Sequence, residues 1–260
     1  MSTSAVAFIP ARLGSKRVPG KNIRALAGHP TLAYTIAPAI ESGVFSSVIV
    51  STDSEEIATI ARHYGAEVPF LRPAAFASDT SPDIEWLEHI LTELRAAGRS
   101  WDAFSILRPT SPFRSAAMIR RAFARFAGQT GADSLRAVEK CTQHPGKMWV
   151  IRGDRMFPLM PFELGAPKPQ GEGGQPWHST PYQALPTVYV QNASLEIAWT
   201  RVVFERRTIA GDTIVPFVTQ GHEGFDINDP SDWIVAEHLI ASGAATLPPV
   251  PHPSFLPVTR

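Results

Sequence analysis

The sequence predicts an α/β protein in which helices cover a mostly parallel sheet. Short apolar runs alternate with segments of helical periodicity, in the order strand, helix, strand, helix, strand over residues 6–71. Strands joined through a helix pair in parallel by right-handed crossovers. The chain has 260 residues, of which 44% are hydrophobic, so it is long and apolar enough for one large domain with a full core.

The predicted strands are short apolar runs bounded by turn residues. They cover residues 6–9, 47–52, 66–71, 103–107, 134–139, 188–198 and 213–218, with a hairpin of 148–151 and 156–159 around Gly153 and Asp154. The predicted helices cover residues 31–42, 54–64, 80–97, 115–128 and 233–241, the last with residues 229–232 as its start.

Several residues mark the helix boundaries. Pro38 predicts a kink or an early end of the first helix. Asp53 with Glu56 predicts a capping box for the second helix. The remaining N-terminal caps are predicted at a hydroxyl of Thr80 or Ser81, at Ser115 and at Asp229.

The domain organisation predicted is one domain over residues 1–245, with an insertion at about 141–187 and a Pro-rich, irregular tail at 246–260. Residues 165–175, inside the insertion, are rich in Gly, Pro and Gln and show no periodicity. This stretch is interpreted as a loop, with covering a site or forming an oligomer contact as alternatives.

Composition narrows the class of protein. Lys plus Arg equals Asp plus Glu at 24 each, which gives no support for nucleic-acid or membrane-surface binding. The single cysteine, Cys141, excludes an intramolecular disulfide and a Cys-based metal site. The N-terminal apolar run is too short for a secretory signal, and no stretch approaches the roughly 18 apolar residues of a membrane span. We therefore expect a soluble, cytoplasmic protein.

The loop after the first strand, residues 11–22, is the densest cluster of cations in the chain. It contains Arg12, Lys16, Arg17 and Lys21 among two glycines and a serine. Backbone amides in such loops form anion-binding hollows, so we interpret the loop as a polyphosphate site. The alternative is a basic, solvated surface loop. Neither the Walker pattern nor the dinucleotide G-x-G-x-x-G fingerprint is present.

Two loops are predicted to face one cleft. Residues 11–22 and 108–114 both leave predicted strands at their carboxyl ends. Ligands of open α/β sheets bind at that edge.

An acidic group precedes the last predicted helix. Asp229 is interpreted as its N-cap and Asp232 as a favourable first-turn charge. Asp226 and Asn228 lie at i and i+2 on an extended segment, so their side chains point the same way. Together with phosphate oxygens, this pair suits Mg²⁺.

The chain closely resembles the acylneuraminate cytidylyltransferase family in an ordered series of motifs. The first, residues 9–22, is the long signature loop I-P-A-R-x-G-S-K-R-x-P-x-K-N. The others lie at residues 51–53, 65–70, 72–73, 109–114, 144–147 and 226–228, and the resemblance covers about residues 5–242. It implies a Rossmann-like nucleotidyltransferase domain that forms a homodimer through an inserted dimerisation-type segment. It also implies transfer of CMP from CTP to an α-keto sugar acid, with Mg²⁺ and release of pyrophosphate.

The resemblance also implies roles for individual residues. The nucleotide side comprises Ala11, Arg12, Ser15, Lys16, Lys21, Asn22, Arg72 and Ser78. The acceptor side comprises Arg108, Thr110, Ser111, Lys147, Gln183 and Asn192. The metal ligands are Asp226 and Asn228. The catalytic groups are Arg12, Lys16 and Lys21, which stabilise the reacting phosphates, and Asp226, which acts by holding Mg²⁺.

Departures from the family pattern lie on the acceptor side and at the metal. Asn228 replaces a frequent Asp, Arg108 replaces a common Gln, and the usual N-G-A-I-Y segment is N-A-S-L-E from Asn192 to Glu196. Tyr182 precedes Gln183 where the family uses an arginine for the sugar carboxylate. We infer that CTP use is kept, that the acceptor is not ordinary sialic acid, and that Arg108 replaces the lost bidentate clamp. The alternatives are an inactive nucleotide-binding paralogue, or a nucleotidyltransferase with another base or a non-sugar acid acceptor such as a phosphonate.

Overall fold

A computed structural model describes residues 3–14, 17–160 and 176–256. The chain forms two compact units. The main unit consists of Met1–Val138 and Gln191–Arg260, and the second unit of Glu139–Val190.

Ten strands are described. In chain order they are β1 Ala5–Pro10, β2 Ala25–Leu26, β3 His29–Pro30, β4 Ser47–Ser51, β5 Ala103–Ile106, β6 Ser134–Lys140, β7 Trp149–Arg152, β8 Arg155–Pro158, β9 Tyr189–Trp199 and β10 Ile214–Val218. Six of them form one sheet in the order β10-β6-β9-β5-β1-β4. β1 runs parallel to both β4 and β5, β10 runs parallel to β6, and β9 runs antiparallel to β5. The predicted mostly parallel sheet is confirmed.

Helices cover both faces of this sheet. In chain order the α-helices described are α1 Ala33–Glu41, α2 Glu55–His63, α3 Asp83–Ala96, α4 Ala116–Ala127, α5 Thr200–Arg206 and α6 Pro230–Ala241. Alternate residues of β1 enter different cores: Ala7 and Ile9 pack with α1, α2 and α4, whereas Val6 and Phe8 pack with α3 and α5. A strand buried on both faces is typical of a parallel sheet, and it explains why β1 reads as a continuous apolar run.

Two local predictions around β4 are wrong. The N-cap of α2 is Ser54, whose hydroxyl accepts from the Ile57 amide, and not Asp53. The Asp53 carboxylate instead accepts from the Leu13 amide, a tertiary contact that the local cap pattern does not report. Residues 66–71 do not form a strand, because only Glu67 pairs with the sheet, through a single bridge to Ile49.

At the other helix starts, some predicted caps are confirmed and one is wrong. Ser115 caps α4 and Asp229 caps α6, as predicted. Asp232, predicted only as a first-turn charge, also completes a capping box with Asp229. The predicted hydroxyl cap of α3 is wrong, because its N-cap position is Pro82 and no side chain bonds there. Pro38 lies inside α1, which continues to Glu41. The sequence analysis missed α5 and the small β2–β3 pair.

The second unit contains the predicted hairpin, formed by β7 and β8. Its loops are tied by the His144 ring to the Pro186 carbonyl at 3.0 Å and by the Tyr182 hydroxyl to the Thr142 carbonyl at 2.8 Å. The predicted loop at residues 165–175 lies outside the described residues.

The tail carries no helix or strand between residues 246 and 256. It lies against α2, where the Phe255 amide donates to the Tyr64 hydroxyl at 2.9 Å and the Phe255 ring stacks on His63. Across the described residues, no helix combines the length and the apolar character that a membrane crossing requires.

Candidate functional site

A cleft of about 410 Å³ lies in the main unit, at the edge where β1 and β5 end. This is the edge at which ligands of open α/β sheets bind. The cleft is lined by Pro10, Arg12, Arg17, Lys21, Asn22, Arg72, Phe76, Ser78, Asp79, Ser81, Asp83, Trp86, Arg108, Pro109, Thr110, Ala193, Asp226 and Asn228. The two loops predicted to share a cleft therefore do so.

Contacts with neighbouring residues position the loop after β1. The Asn22 amide donates to the Arg12 carbonyl at 3.0 Å, and the Arg12 guanidinium forms an ion pair with Asp79 at 2.6 Å. Both side chains of this pair are about one-third exposed, at 32% and 34%. Arg12 thus stands at the cleft surface with a partner that an incoming anion can displace, because exposed ion pairs are weak.

Lys21 projects into the cleft from the same loop. Its ammonium donates to the Ile227 carbonyl at 2.8 Å. Burial lowers the pKa of Lys21 below 10.5, and the nearby Asp226 carboxylate only partly opposes this. A half-buried ammonium held by a neutral carbonyl keeps its charge available to a phosphate oxygen.

Asp226 and Asn228 lie beside these cations, on either side of Ile227, whose carbonyl Lys21 contacts. The Asn228 amide nitrogen donates to Oδ2 of Asp226 at 2.8 Å, and its oxygen accepts from Arg17 at 3.3 Å. Oδ1 of Asp226 is buried and has no hydrogen-bond partner among the described residues. Such an oxygen suits a cation that brings its own further ligands. Within the described ranges, no group of three or more His, Cys, Asp or Glu residues could hold a metal alone.

Arg72 forms the opposite wall. Its Nε donates to the Ser51 hydroxyl at 3.0 Å and Nη2 to the Ser51 carbonyl at 2.9 Å. Its guanidinium carbon lies 4.8 Å from the centre of the Trp86 ring. Burial lowers the pKa of Arg72 to about 10. Backbone and ring contacts thus fix this cation without a direct carboxylate partner among the described residues.

The remaining nucleotide-side predictions fall in different places. Ser78 lines the cleft and its hydroxyl lies 2.7 Å from that of Ser81. Ala11 is fully buried in the core and its amide donates to the Ser51 carbonyl at 3.0 Å, so it anchors the loop from below. Ser15 and Lys16 lie outside the described residues.

Arg108 lies on the cleft wall but is held by two carboxylates. Its Nη2 contacts Oδ2 of Asp83 at 2.5 Å and Oε1 of Glu196 at 3.1 Å. The second oxygen of Glu196 pairs with Arg136. Both carboxylates contact Nη2, the nitrogen that either bidentate geometry on a carboxylate uses, so the clamp is not preformed here and stays a prediction.

Three further acceptor-side predictions have different environments. Thr110 lines the cleft, and its carbonyl accepts from the Ile227 amide at 2.9 Å. Ser111 is fully buried. Asn192 is also buried and its side chain bonds Thr219 and Ser194. Only Thr110 of these three lines the cleft; Ala193, next to Asn192, does so in its place.

The last two acceptor-side residues belong to the second unit. The Lys147 ammonium donates to the His178 carbonyl at 3.2 Å within that unit. Gln183 is exposed on a single helical turn, Tyr182–Ala184.

Several residues that build the cleft were not predicted from the sequence. Asp79, Asp83 and Trp86 line it. The only prediction in this part of the sequence was that a helix starts here. Arg114 is fully buried and donates to the Thr35 hydroxyl at 3.2 Å, to the Arg108 carbonyl at 2.8 Å and to the Ser194 carbonyl. Burial lowers the pKa of Arg114 to about 9. The sequence marked Arg114 only as the last residue of the family motif at residues 109–114.

Comparisons with known proteins show the family of the chain. A sequence model of the cytidylyltransferase family matches residues 6–138. The chain is 34% identical over 242 residues to the CMP-N,N'-diacetyllegionaminic acid synthase of Legionella pneumophila, covering 90% of this chain and 95% of that protein. It is 43% identical over 119 residues to the N-acylneuraminate cytidylyltransferase of Escherichia coli, covering 46% of this chain and 27% of that protein.

A solved structure supports the fold alone. CMP-2-keto-3-deoxy-manno-octonic acid synthetase, complexed with CTP, superimposes with a TM-score of 0.64 at 13% identity, covering 93% of this chain and 100% of that chain. The match to the family's sequence model and the near full-length relative show which family the chain belongs to. The likeness in fold alone would not show this. The chain belongs to the cytidylyltransferase family.

Proposed function

We propose that the protein is a CTP-dependent cytidylyltransferase that transfers CMP to a hydroxyl of an α-keto sugar acid of the nonulosonate type and releases pyrophosphate. The observation that carries the proposal is the meeting of Arg12, Arg17 and Lys21 with Asp226 in one cleft at the carboxyl edge of the sheet. The relatives named as legionaminic acid and N-acylneuraminate enzymes support the acceptor class.

The cations of the loop after β1 supply the main catalytic effect. Transfer of a nucleotidyl group needs an acceptor hydroxyl in line with the departing pyrophosphate, so positioning and charge neutralisation dominate. Lys21 and Arg12 lie where the triphosphate would be bound, and Lys16 belongs to the same loop. On this proposal they stabilise the negative charge that grows on the leaving group.

We propose that Mg²⁺ takes part and that Asp226 and Asn228 would hold it together with phosphate oxygens. The unpartnered, buried Oδ1 of Asp226 supports this, because a buried carboxylate oxygen without a partner is costly. When bound, the cation supplies further neutralisation of phosphate charge and lowers the pKa of an attacking hydroxyl. Asn228 must release Arg17 to offer its oxygen, which leaves Arg17 for the phosphates.

We propose that Arg72 and Ser78 bind the cytidine part of CTP at one end of the cleft. The Arg72 guanidinium is oriented by Ser51 and by the Trp86 ring, so its remaining donor atoms are fixed before the nucleotide arrives. Such preorganisation reduces the entropy that binding must overcome.

We further propose a cytoplasmic homodimer. The second unit exposes several large apolar side chains on and near its hairpin, including Ile151 at 76% and Met156 at 53%. Exposed apolar groups of this kind are typical of a surface that a partner covers. The cytoplasm is where CTP is made.

The test is pyrophosphate release by the purified protein from CTP and Mg²⁺, with a panel of α-keto sugar acids. We expect release only when CTP, Mg²⁺ and an acceptor of the nonulosonate class are all present. If no acid of the panel leads to pyrophosphate release from CTP, the proposal is refuted. A thermal shift that is larger for another nucleoside triphosphate than for CTP would also refute it. Tight CTP binding without turnover would instead identify an inactive paralogue.

A further inference from the structure

Residues 247–255, which we call the strap, follow α6 and belong to the main unit without forming a helix or a strand. Four of these nine residues are prolines. Proline restricts the backbone of an undocked chain, so the strap loses less conformational entropy on docking than an ordinary segment would. The family resemblance ends at about residue 242, so it assigns the strap no role.

The first part of the strap packs against a core that adjoins the cleft. Leu247 and Val250 pack against a small group of buried side chains that contains Val18 and Ile227. Val18 belongs to the loop after β1, and the Ile227 carbonyl accepts from the Lys21 ammonium at 2.8 Å. The strap thus shares a core with two residues that lie next to the cations of the cleft.

The last part of the strap is hydrogen-bonded to the β2–β3 pair. The Ser254 hydroxyl donates to the Gly28 carbonyl, at the turn between β2 and β3. The Phe255 amide donates to the Tyr64 hydroxyl at 2.9 Å, and that hydroxyl lies 3.1 Å from Nδ1 of His29 on β3. The strap therefore holds this pair both directly and through Tyr64.

The β2–β3 pair needs this support from outside. Each strand is only two residues long, and a pair this short is not stable alone. Its turn places Ala27 and Gly28 at positive φ, 44° and 92°, which is unfavourable for a residue with a Cβ such as Ala27. The Tyr34 hydroxyl donates to the Leu26 carbonyl at 2.8 Å and to the Ala27 carbonyl at 3.2 Å. Side chains from elsewhere, including Ser254, therefore hold the turn.

The pair in turn fixes the end of the loop after β1. Thr31 follows β3; its amide donates to the Arg24 carbonyl at 3.2 Å and its hydroxyl to the Lys21 carbonyl. The Leu32 amide donates to the Asn22 carbonyl at 2.9 Å. A short, continuous series of hydrogen bonds thus joins the strap to the lysine whose side chain lies in the cleft.

We propose that the strap positions the phosphate-binding end of the cleft. Ser254 and Phe255 hold the β2–β3 pair, and the pair keeps Lys21 in place for the triphosphate of CTP. This inference rests on the proposed function and adds to it a positioning element outside the cleft. Coupling between two sites is reciprocal, so bound CTP favours the docked strap by the same factor by which the docked strap favours CTP binding.

Hydrogen exchange of the Phe255 amide tests this coupling in the unaltered protein. The amide is bonded to Tyr64 only while the strap is docked, so its exchange reports strap opening. We expect CTP with Mg²⁺, in the absence of an acceptor, to slow this exchange by about fivefold or more. The Gln129 amide, bonded to the Phe126 carbonyl at the end of α4, is the control and should not change. Unchanged exchange at Phe255, or equal slowing of both amides, overturns the inference.

A strap variant separates positioning from general stability. Ser254→Ala combined with Phe255→Ala removes the two anchors, and Leu256→Ala, at an exposed residue just after the strap, is the matched control. Calorimetric titration should show CTP affinity about fivefold or more weaker for the double variant and equal to wild type for the control. Unchanged affinity in a double variant of lowered stability would show a purely structural strap and overturn the inference. If the double variant does not fold, the exchange measurement decides.

The two proposals fail differently. Wild-type protein that binds no CTP overturns the proposed function and the inference with it. Wild-type protein that releases pyrophosphate from CTP with an acid sugar, but whose Phe255 amide exchanges at the same rate with and without CTP, overturns the inference alone.

Discussion

The amide of Leu13 donates a hydrogen bond to the carboxylate of Asp53, with 2.9 Å between the nitrogen and Oδ1. This bond ties the loop after β1 to the loop after β4. The neighbouring Thr52 carbonyl accepts from the Arg72 amide at 2.7 Å, so the same turn also holds the nucleotide-side arginine. The two ends of the proposed triphosphate–cytidine site are thus set by one short segment.

We expect Asp53→Ala to weaken CTP binding, because the loop after β1 loses its anchor. One hydrogen bond to a charged acceptor corresponds to a loss of about tenfold in affinity. Asp53→Asn keeps an oxygen acceptor and should retain most of the affinity. Calorimetric titration with CTP measures both, and equal affinities for wild type and Asp53→Ala would show that the tether has no role in binding.

Lys21→Ala should abolish turnover and leave the fold intact. The ammonium is held at 2.8 Å from the Ile227 carbonyl and faces Asp226, so its removal leaves the leaving group without a principal cation. We expect a fall of at least about 100-fold in kcat, the scale for losing one preorganised charge-stabilising group. Lys140, an exposed lysine at the end of β6, is the matched control, and Lys140→Ala should behave as wild type. Near-normal turnover by Lys21→Ala would disprove the phosphate assignment.

The pH dependence of CTP affinity should report Lys21. Burial lowers its pKa below 10.5, and a lysine carries charge only below its pKa. As pH rises, affinity should therefore start to fall at a lower pH than an ordinary lysine would give. Lys21→Arg keeps a charge at alkaline pH and should move this fall upward. Titrations between pH 7 and pH 10 that superimpose for the two proteins would show that another group controls the alkaline limb.

Arg114 should be a stability residue. It is fully buried, and its three nitrogens donate to the Thr35 hydroxyl and to two carbonyls on different elements. Arg114→Lys cannot reach all three acceptors, and we expect it to lower the free energy of unfolding by about 3 kcal/mol. Arg120→Lys, on the exposed face of α4, is the control and should change it by less than about 0.5 kcal/mol. Chemical denaturation measures both, and similar midpoints would contradict the role of Arg114.

The sequence predicted the fold where patterns are local. Both faces of β1 are buried, so its apolar run was unambiguous, and Ser115 and Asp229 cap helices by contacts within three residues. Prediction from the sequence failed where a tertiary contact competes with a local one. Asp53 has the local pattern of a helix cap, but its carboxylate accepts from the Leu13 amide.

The same limit applies to the cleft. The cationic loop and Asp226 were predicted, because their residue types cluster along the chain. The carboxylates that contact Arg108, Asp83 and Glu196, were not predicted, since they lie 25 and 88 positions away. No local pattern reports contacts across such separations. Charge patterns along the chain therefore predicted which residues line the cleft better than which partners those residues have.

Asp226→Asn should raise the Mg²⁺ concentration needed for half-maximal activity. It removes the only carboxylate proposed to hold the cation, and Asn228 contributes no charge, so we expect an increase of about tenfold or more. Asp229→Asn is the matched control, because asparagine caps a helix as well as aspartate does and α6 should keep its start. Its Mg²⁺ dependence should equal that of wild type. If the two variants shift the dependence equally, the effect is one of net charge near α6; if neither shifts it, the buried oxygen of Asp226 serves the protein and not a cation.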